Sequence, residues 1–346
     1  MLYVTTKNRN NFHTSYRTLC SDRDEDGGLY VPFQSVSLTL DEINALKEKS
    51  FSQCIADILN MYFSARLDAW DVACCMGTQP LKLVPMSHKI TIAEIWNNPE
   101  WCLSRFVRNL NGRILGNADN GRPSNWMEIA VRIGVIFGIF AKLLRIGVVS
   151  NQQPLDISVI SGDFTTPIAA WYARSMGLPI GNIVFACNDN GATWDLFHHG
   201  EIQLTQKTTE TTTPICDVAI PVNIERFIYE SLGIEETQRF ADCRSCCSTY
   251  TISDETREVL CRGMFGAVIG MNRVNSIIRN VYRTNAYILS PYSALAYGGL
   301  QDYRATKAEV GQALILTENG PLSDSQLISD TLGIAESVLK DRIRSV

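Results

Sequence analysis

The stretch from residue 157 to residue 186 constrains the fold more than any other part of the chain. A short apolar run over residues 157–160 is followed by small polar residues, a helical pattern over residues 167–176 and a second apolar run over residues 182–186. Short apolar runs bounded by turn residues predict buried strands, and the pattern between them predicts a helix. The stretch therefore predicts a strand–helix–strand unit with parallel strands.

The turn between the first strand and the helix is a candidate anion site. It contains small polar residues, among them Ser161, Gly162, Thr165 and Thr166. The N-terminus of a helix carries unpaired N–H groups and the positive end of the helix dipole, which favour an anion such as a phosphate. The same residue types are also ordinary caps and turn formers, so a turn without any ligand is the alternative.

The composition is that of an ordinary globular protein, with 45% hydrophobic and 19% charged residues in 346. The net charge of −5 is spread along the chain, so we expect neither nucleic acid nor an anionic membrane as partner. The longest apolar stretch, residues 129–149, is interrupted by Arg132, Lys142 and Arg145. These charges predict a buried helix of a globular protein rather than a membrane span.

The eleven cysteines predict reduced thiols and a cytoplasmic protein, because the chain begins without the pattern of a signal peptide. They cluster at Cys74-Cys75 and at Cys243, Cys246 and Cys247. Neither cluster has a second ligand pair at the spacing of a zinc site, so we expect no metal.

Strand patterns alternate with helical patterns along the chain, which predicts an α/β protein with a mostly parallel sheet flanked by helices. The expected elements include strands at residues 81–85 and 90–96, one helix over residues 254–271 and a final helix over residues 324–343. Residues 111–124 are rich in Gly, Asn and Asp, which is typical of a linker. We therefore predict an N-terminal region over residues 1–110 and a large domain over residues 125–346.

Several separated stretches resemble threonine synthase, a member of the fold-type-II pyridoxal-phosphate enzymes. Asp26-Gly-Gly-Leu-Tyr-Val-Pro32 resembles the N-terminal signature of that family, and Ile160-Ser-Gly-Asp-Phe164 resembles its phosphate loop. Ser290-Pro-Tyr-Ser-Ala-Leu-Ala-Tyr297 is similar to a helix start near the family's C-terminus. Further segments match in order at residues 173–180, 186–190, 197–200 and 216–226.

The resemblance implies a fold and a set of cofactor positions. It implies the large domain of a fold-type-II enzyme, with Thr317 at the position that partners the ring nitrogen of pyridoxal phosphate. The residues at the position of the phosphate loop are Ser161, Gly162, Asp163, Phe164, Thr165 and Thr166. Thr165 stands where the family has a second glycine, and its side chain restricts the approach of a phosphate to the backbone.

The residue that the family's chemistry needs most is absent from this alignment. The family's lysine forms a Schiff base with the cofactor, and the aligned position is Ser104, whose hydroxyl cannot form an imine. Lys82 and Lys89 precede the motif, and either would need a rearranged site to replace that lysine. The segments that build the family's small mobile domain are also largely missing between the lysine motif and residue 125.

Three hypotheses follow for the function. The first is a catalytically degenerate threonine-synthase-like protein, which binds no cofactor and has a scaffold or residual ligand-binding role. The second is an active pyridoxal-phosphate lyase of altered mechanism, which acts on an amino-acid phosphate ester such as O-phosphohomoserine. The third is a binder of a small phosphate-containing ligand without chemistry.

The missing small domain would leave a sheet edge and an apolar face uncovered. We expect either tighter packing of residues 1–110 or a second subunit, as a homodimer or a protein partner, to cover them. Trp96, Trp101 and Trp126 flank the deletion and are candidates for that cover, although burial in the core is the ordinary role of a tryptophan.

Overall fold

The computed structural model describes residues 1–76, 81–95, 102–116 and 122–345. The strands in these ranges are β1 (Leu2–Thr5), β2 (His13–Thr14), β3 (Tyr30–Pro32), β4 (Lys82–Met86), β5 (Ile90–Glu94), β6 (Leu155–Ile160), β7 (Ile180–Cys187), β8 (Glu201–Gln203), β9 (Thr249–Thr251), β10 (Met264–Val268) and β11 (Ala313–Thr317). The helices of the N-terminal half are α1 (Ser15–Cys20), α2 (Leu40–Ala45), α3 (Phe51–Phe63), α4 (Ala69–Met76), α5 (Leu103–Leu115), α6 (Asn125–Arg145) and α7 (Thr165–Ser175). Those of the C-terminal half are α8 (Ala192–His199), α9 (Ile224–Leu232), α10 (Ile234–Cys246), α11 (Asp254–Leu260), α12 (Met271–Asn285), α13 (Pro291–Ala305), α14 (Ser325–Leu332) and α15 (Glu336–Ser345).

The described residues form a central six-stranded sheet in the order β10-β7-β6-β11-β5-β4. Neighbouring strands are parallel except β4, which pairs with β5 as an antiparallel edge strand. The predicted strand–helix–strand unit is present as β6, α7 and β7, and Ile157 pairs with Ile183. The predicted α/β class with a mostly parallel sheet is therefore confirmed.

Helices cover both faces of the sheet. On one face α6 is buried along nearly its whole length, because it packs between α3 and α7. On the other face α13 packs against β6, β7 and β11, with α12 behind it. The apolar character of residues 129–149 is thus explained by burial inside the protein. No helix in the described ranges is long and apolar enough to cross a membrane.

The small antiparallel sheet β2-β1-β3 is tied to α6 through one aromatic cluster. The indole of Trp126 donates a hydrogen bond of 3.0 Å to the Tyr3 hydroxyl, which itself donates to the carbonyl of Tyr62 at 2.9 Å. Trp126 is fully buried, so it belongs to the core. Trp96 and Trp101 lie outside the described residues.

The prediction of one helix over residues 254–271 is wrong. The chain forms α11, then the edge strand β10, and only then α12 from Met271. The helix ends because Gly263 adopts a φ of +70°, a left-handed conformation that suits glycine. Residues 264–268 then form a short run that pairs with β7, and this tertiary contact overrides the local helical pattern.

Two other predicted boundaries are corrected. The final helix over residues 324–343 is divided into α14 and α15, because Gly333 ends α14 with a φ of +66°. The predicted linker over residues 111–124 begins inside α5, which continues to Leu115. Residues 117–121 lie outside the described part of the chain, and α6 begins at Asn125. The central sheet also takes β4 and β5 from the region before this predicted boundary.

A buried acid joins α7 to α9. The Tyr172 hydroxyl donates a hydrogen bond of 2.7 Å to Oε1 of Glu230. Burial raises the pKa of Glu230 to about 7, although Tyr172 and the charges of Arg9 and Arg226 lower it. The Glu230 carboxyl therefore keeps its proton in the folded protein at pH values where an exposed glutamate is ionised.

This shift predicts a pH-dependent stability. As the pH rises from about 5 to about 8, the unfolded chain ionises Glu230 more readily than the folded chain, so the free energy of unfolding should fall. We expect Glu230→Gln to remove about 1–2 kcal/mol of this fall, a value reduced for the partial exposure of the side chain. Urea unfolding at both pH values measures it, with exposed Glu235→Gln as the matched control. An identical fall in the two variants would contradict the prediction.

Candidate functional site

The candidate site lies at the carboxyl edge of the parallel strands, where β6 leads into α7. The loop passes through Gly162 with a φ of +46° and Phe164 with a φ of +68°, and α7 begins at Thr165. The structure thus places all six residues of the predicted phosphate loop in one turn at a helix N-terminus. This is the position at which open α/β sheets bind ligands.

Two buried cysteines form hydrogen bonds with the first two residues of the loop, Ser161 and Gly162. The Ser161 hydroxyl bonds the thiol of Cys187, and the backbone N–H of Gly162 bonds the thiol of Cys216. Both thiols are buried, and burial raises the pKa of Cys187 to about 11 and that of Cys216 to about 12, although these two hydrogen bonds lower them. Both sulfurs are therefore neutral thiols at physiological pH.

The next donors are engaged within the loop. The backbone N–H of Phe164 donates to the carbonyl of Ser161 at 2.8 Å, and that of Thr165 donates to Oδ1 of Asp163 at 3.0 Å. The Thr165 hydroxyl accepts from Nδ2 of Asn223 at 2.9 Å and is buried. The Thr165 side chain is thus directed toward Asn223.

Phe164 contributes to the core rather than to a binding surface. Its ring is fully buried and lies 5.2 Å from the ring of Phe185 and 5.6 Å from that of Phe227, measured between centroids. Of the predicted phosphate-loop residues, Phe164 therefore acts only through its backbone.

A carboxylate occupies the start of α7. The Thr166 hydroxyl donates to Oε1 of Glu318 at 2.6 Å. Arg132 binds the same carboxylate with two groups, from Nε to Oε1 at 3.0 Å and from Nη2 to Oε2 at 2.8 Å. Because Glu318 follows the last residue of β11, it brings a negative charge to the helix end where a phosphate was predicted.

Arg132 is held between two acids. Its Nη1 lies 3.0 Å from Oε2 of Glu128, one turn earlier on α6, and only 8% of the residue is exposed. Burial alone would lower the pKa of Arg132, but the carboxylates of Glu318 and Glu128 outweigh burial and raise it. The arginine is therefore charged, and it forms ion pairs with the carboxylates of Glu128 and Glu318.

The predicted ring-nitrogen position, Thr317, lies at the end of β11 and is buried. Its hydroxyl donates to the carbonyl of Ala93 at 2.9 Å, and its backbone pairs in register with Glu94. Glu94 accepts a hydrogen bond from the Tyr287 hydroxyl and lies 3.8 Å from Nζ of Lys82. Burial raises the pKa of Glu94, although Tyr287 and Lys82 lower it.

The two lysines near the family's motif lie at opposite edges of the sheet. Lys82 begins β4 beside the end of β5, so it shares the carboxyl edge with Thr317. Lys89 lies in the turn between β4 and β5 at the other edge, and its Nζ donates to the carbonyl of Val310 at 3.3 Å. Of this pair, only Lys82 therefore lies at the same edge of the sheet as the candidate site.

Ser104 is the second residue of α5 and is exposed. No hydrogen bond between described residues joins it to the loop over residues 161–166. Pro99, on which its alignment with the family's lysine rests, lies outside the described residues.

Sequence reasoning missed Glu318, Cys187 and Cys216 as parts of this site. The sequence did indicate a role for Arg132, because it is a charged residue inside a long apolar stretch, and a buried charge needs a partner. Nothing in the sequence pattern identified Glu318 as that partner, since 186 positions separate the two residues. Among the residues that the structure describes, no group of three or more His, Cys, Asp and Glu could hold a metal ion.

The six-stranded, mostly parallel sheet with helices on both faces defines the class of protein as α/β. The threonine synthase of Brucella melitensis, solved with pyridoxal phosphate bound, has the same fold, with a TM-score of 0.83 at 17% identity over 96% of this chain and 92% of that chain. Residues 2–77 match the family model described as threonine synthase N terminus. The chain is therefore threonine synthase-like in its N-terminal sequence and in its whole fold.

Two relatives extend the sequence match. The protein named threonine synthase-like 1 of Macaca fascicularis is 26% identical over 209 residues, which are 59% of this chain and 27% of that protein. The threonine synthase of Corynebacterium glutamicum is 27% identical over 195 residues, which are 54% of this chain and 40% of that protein. The chain thus spans about a quarter of the length of the first relative and less than half of the second.

The ion pairs of Arg132 predict a large effect on stability. Arg132→Leu leaves the carboxylates of Glu318 and Glu128 without their cation in a largely buried place, so we expect a loss of about 3–5 kcal/mol. Arg145→Leu, at the exposed end of the same helix, should cost less than about 1 kcal/mol. Urea unfolding of both variants measures the difference. Equal losses would show that the buried pairs contribute nothing specific.

Proposed function

We propose that this chain is a catalytically degenerate threonine-synthase-like protein with a scaffold role. The observation that carries the proposal is the Glu318 carboxylate, which holds the anion position at the start of α7 together with Arg132 and Thr166. A cofactor phosphate would meet a like charge there.

The rest of the loop supports the same proposal. Pyridoxal phosphate would need free donors for its phosphate, but the chain itself engages the hydroxyls of Ser161 and Thr166 and the backbone N–H groups of Gly162, Phe164 and Thr165. The loop as it is arranged therefore does not fit the phosphate group of that cofactor. The position aligned with the family's lysine is Ser104, so α5 provides no amine there to form a Schiff base.

One observation favours an alternative, an active lyase on an amino-acid phosphate ester. Lys82, Glu94 and Thr317 lie in one row across β4, β5 and β11, so an amine lies at the same edge of the sheet as Thr317 with one strand between them. Lys82 is already 3.8 Å from the Glu94 carboxylate, so it would have to leave this acid in order to react. For this reason we rank the alternative second.

Covalent labelling separates the two proposals. When the protein is incubated with pyridoxal phosphate and reduced with borohydride, we expect no single lysine to be labelled stoichiometrically in peptide mass spectra. Lys82→Met and the matched control Lys89→Met should both label like the wild type. Stoichiometric labelling that is lost only in Lys82→Met, with release of phosphate from O-phosphohomoserine, would overturn degeneracy in favour of the lyase.

A second prediction concerns the internal anion itself. Glu318→Ala leaves Arg132, Thr166 and the N-terminus of α7 without their negative partner, so inorganic phosphate should raise the melting temperature of this variant. The wild type should show no such rise, because its anion position is filled. Glu128→Ala is the matched control, since it removes the other partner of Arg132. A rise of equal size in the wild type would contradict the proposed filling of the site.

A further inference from the structure

A cavity lies at the opposite end of α7 from the loop. It has a volume of about 380 Å³ and opens between the C-terminal parts of α7, α9 and α11. The lining residues that matter for its chemistry are Trp171, Arg174, Glu230, Leu260 and Arg262. None of them takes part in the candidate site described above.

Arg174 is anchored in this cavity by backbone carbonyls. Its Nη1 donates to the carbonyl of Gly263 at 2.8 Å and to that of Gly181 at 3.4 Å, and its Nη2 donates to the carbonyl of Arg262 at 3.2 Å. A Cβ at position 263 would lie 2.0 Å from Nη1, so only glycine leaves room for this guanidinium. The backbone is therefore built around the arginine.

Some N–H groups of the Arg174 guanidinium have no hydrogen-bond partner among the described residues. Its Nε and one N–H of Nη2 bond no group of the described residues, and no carboxylate among them pairs with it. Burial without an acidic partner lowers the pKa of Arg174, although the group is still charged at neutral pH. Nε and Nη2 of one guanidinium together present the parallel fork that a carboxylate accepts.

The remaining walls offer an apolar surface and one acid. Trp171 lies one turn before Arg174 on α7, so the indole and the guanidinium face the same side of the helix. Leu260 and Val259 add an apolar wall from α11. Glu230 lines the cavity near α9, and Arg262 adds a second positive charge.

We propose that this cavity binds a small organic acid, whose carboxylate accepts the Nε and Nη2 donors of Arg174 while its apolar body packs against Trp171 and Leu260. The ligand is a free carboxylic acid or an α-amino acid, since both carry this carboxylate. In an amino acid the ammonium would be directed toward Glu230 and would favour the ionised form of this carboxyl. The proposal does not depend on whether the loop over residues 161–166, at the other end of α7, binds a phosphate.

Isothermal titration of the full chain with three matched probes tests the ligand class. Hexanoate carries the carboxylate and the apolar body, L-norleucine adds an ammonium to the same body, and pentylamine lacks the carboxylate. We expect hexanoate to bind and pentylamine not to bind. If norleucine binds more tightly than hexanoate and this gain is lost in Glu230→Gln, the ligand is an amino acid. If norleucine binds more weakly than hexanoate, the ligand is the free acid. Binding of pentylamine as tight as that of hexanoate would overturn the proposal.

Variants locate the site. Arg174→Lys keeps the charge but cannot present the fork, so hexanoate should bind tenfold more weakly or worse. Trp171→Ala leaves the carbonyl anchors of Arg174 in place and should also weaken binding severalfold. The matched control is Arg257→Lys, which lies on α11 outside the cavity. Unchanged hexanoate affinity in a folded Trp171→Ala or Arg174→Lys protein would overturn the proposal.

Discussion

The contact between Arg132 and Glu318 organises the centre of this structure. Arg132 lies on the buried helix α6, Glu318 follows the central strand β11, and Thr166 opens α7, so one charged cluster joins three elements. A buried arginine is tolerated only when its charge and its N–H groups find partners. Glu318 and Glu128 together supply the acidic partners of Arg132 in this place, and Glu318 also gives the start of α7 its negative neighbour.

The sequence predicted those parts of the fold whose signal is local. The run from residue 157 to residue 186 shows strand, helix and strand by its own pattern, and the structure confirms it as β6, α7 and β7. Strand β10 has no comparable signal, because its five residues sit between two helical patterns and become a strand only by pairing with β7. The helix boundary at Gly263 likewise depends on a backbone conformation that the local pattern did not indicate.

The sequence predicted where the candidate site lies, but it did not predict which of the loop's donors are already hydrogen-bonded within the protein. Turn residues before a helix identified residues 161–166, and the structure places them at the carboxyl edge of the sheet. Whether these donors are free depends on residues far away in sequence, namely Cys187, Cys216, Asn223 and Glu318. Since each of these contacts is tertiary, no spacing rule could have revealed them.

A helix N-terminus favours a negative charge, whether a ligand or the protein itself supplies it. An acid on the same chain meets this requirement at a high effective concentration, because no binding step from solution is needed. Glu318 is well placed for this role, since β11 fixes its backbone and Arg132 fixes its carboxylate. An external phosphate at the start of α7 would have to displace this carboxylate, which already accepts hydrogen bonds from Arg132 and Thr166.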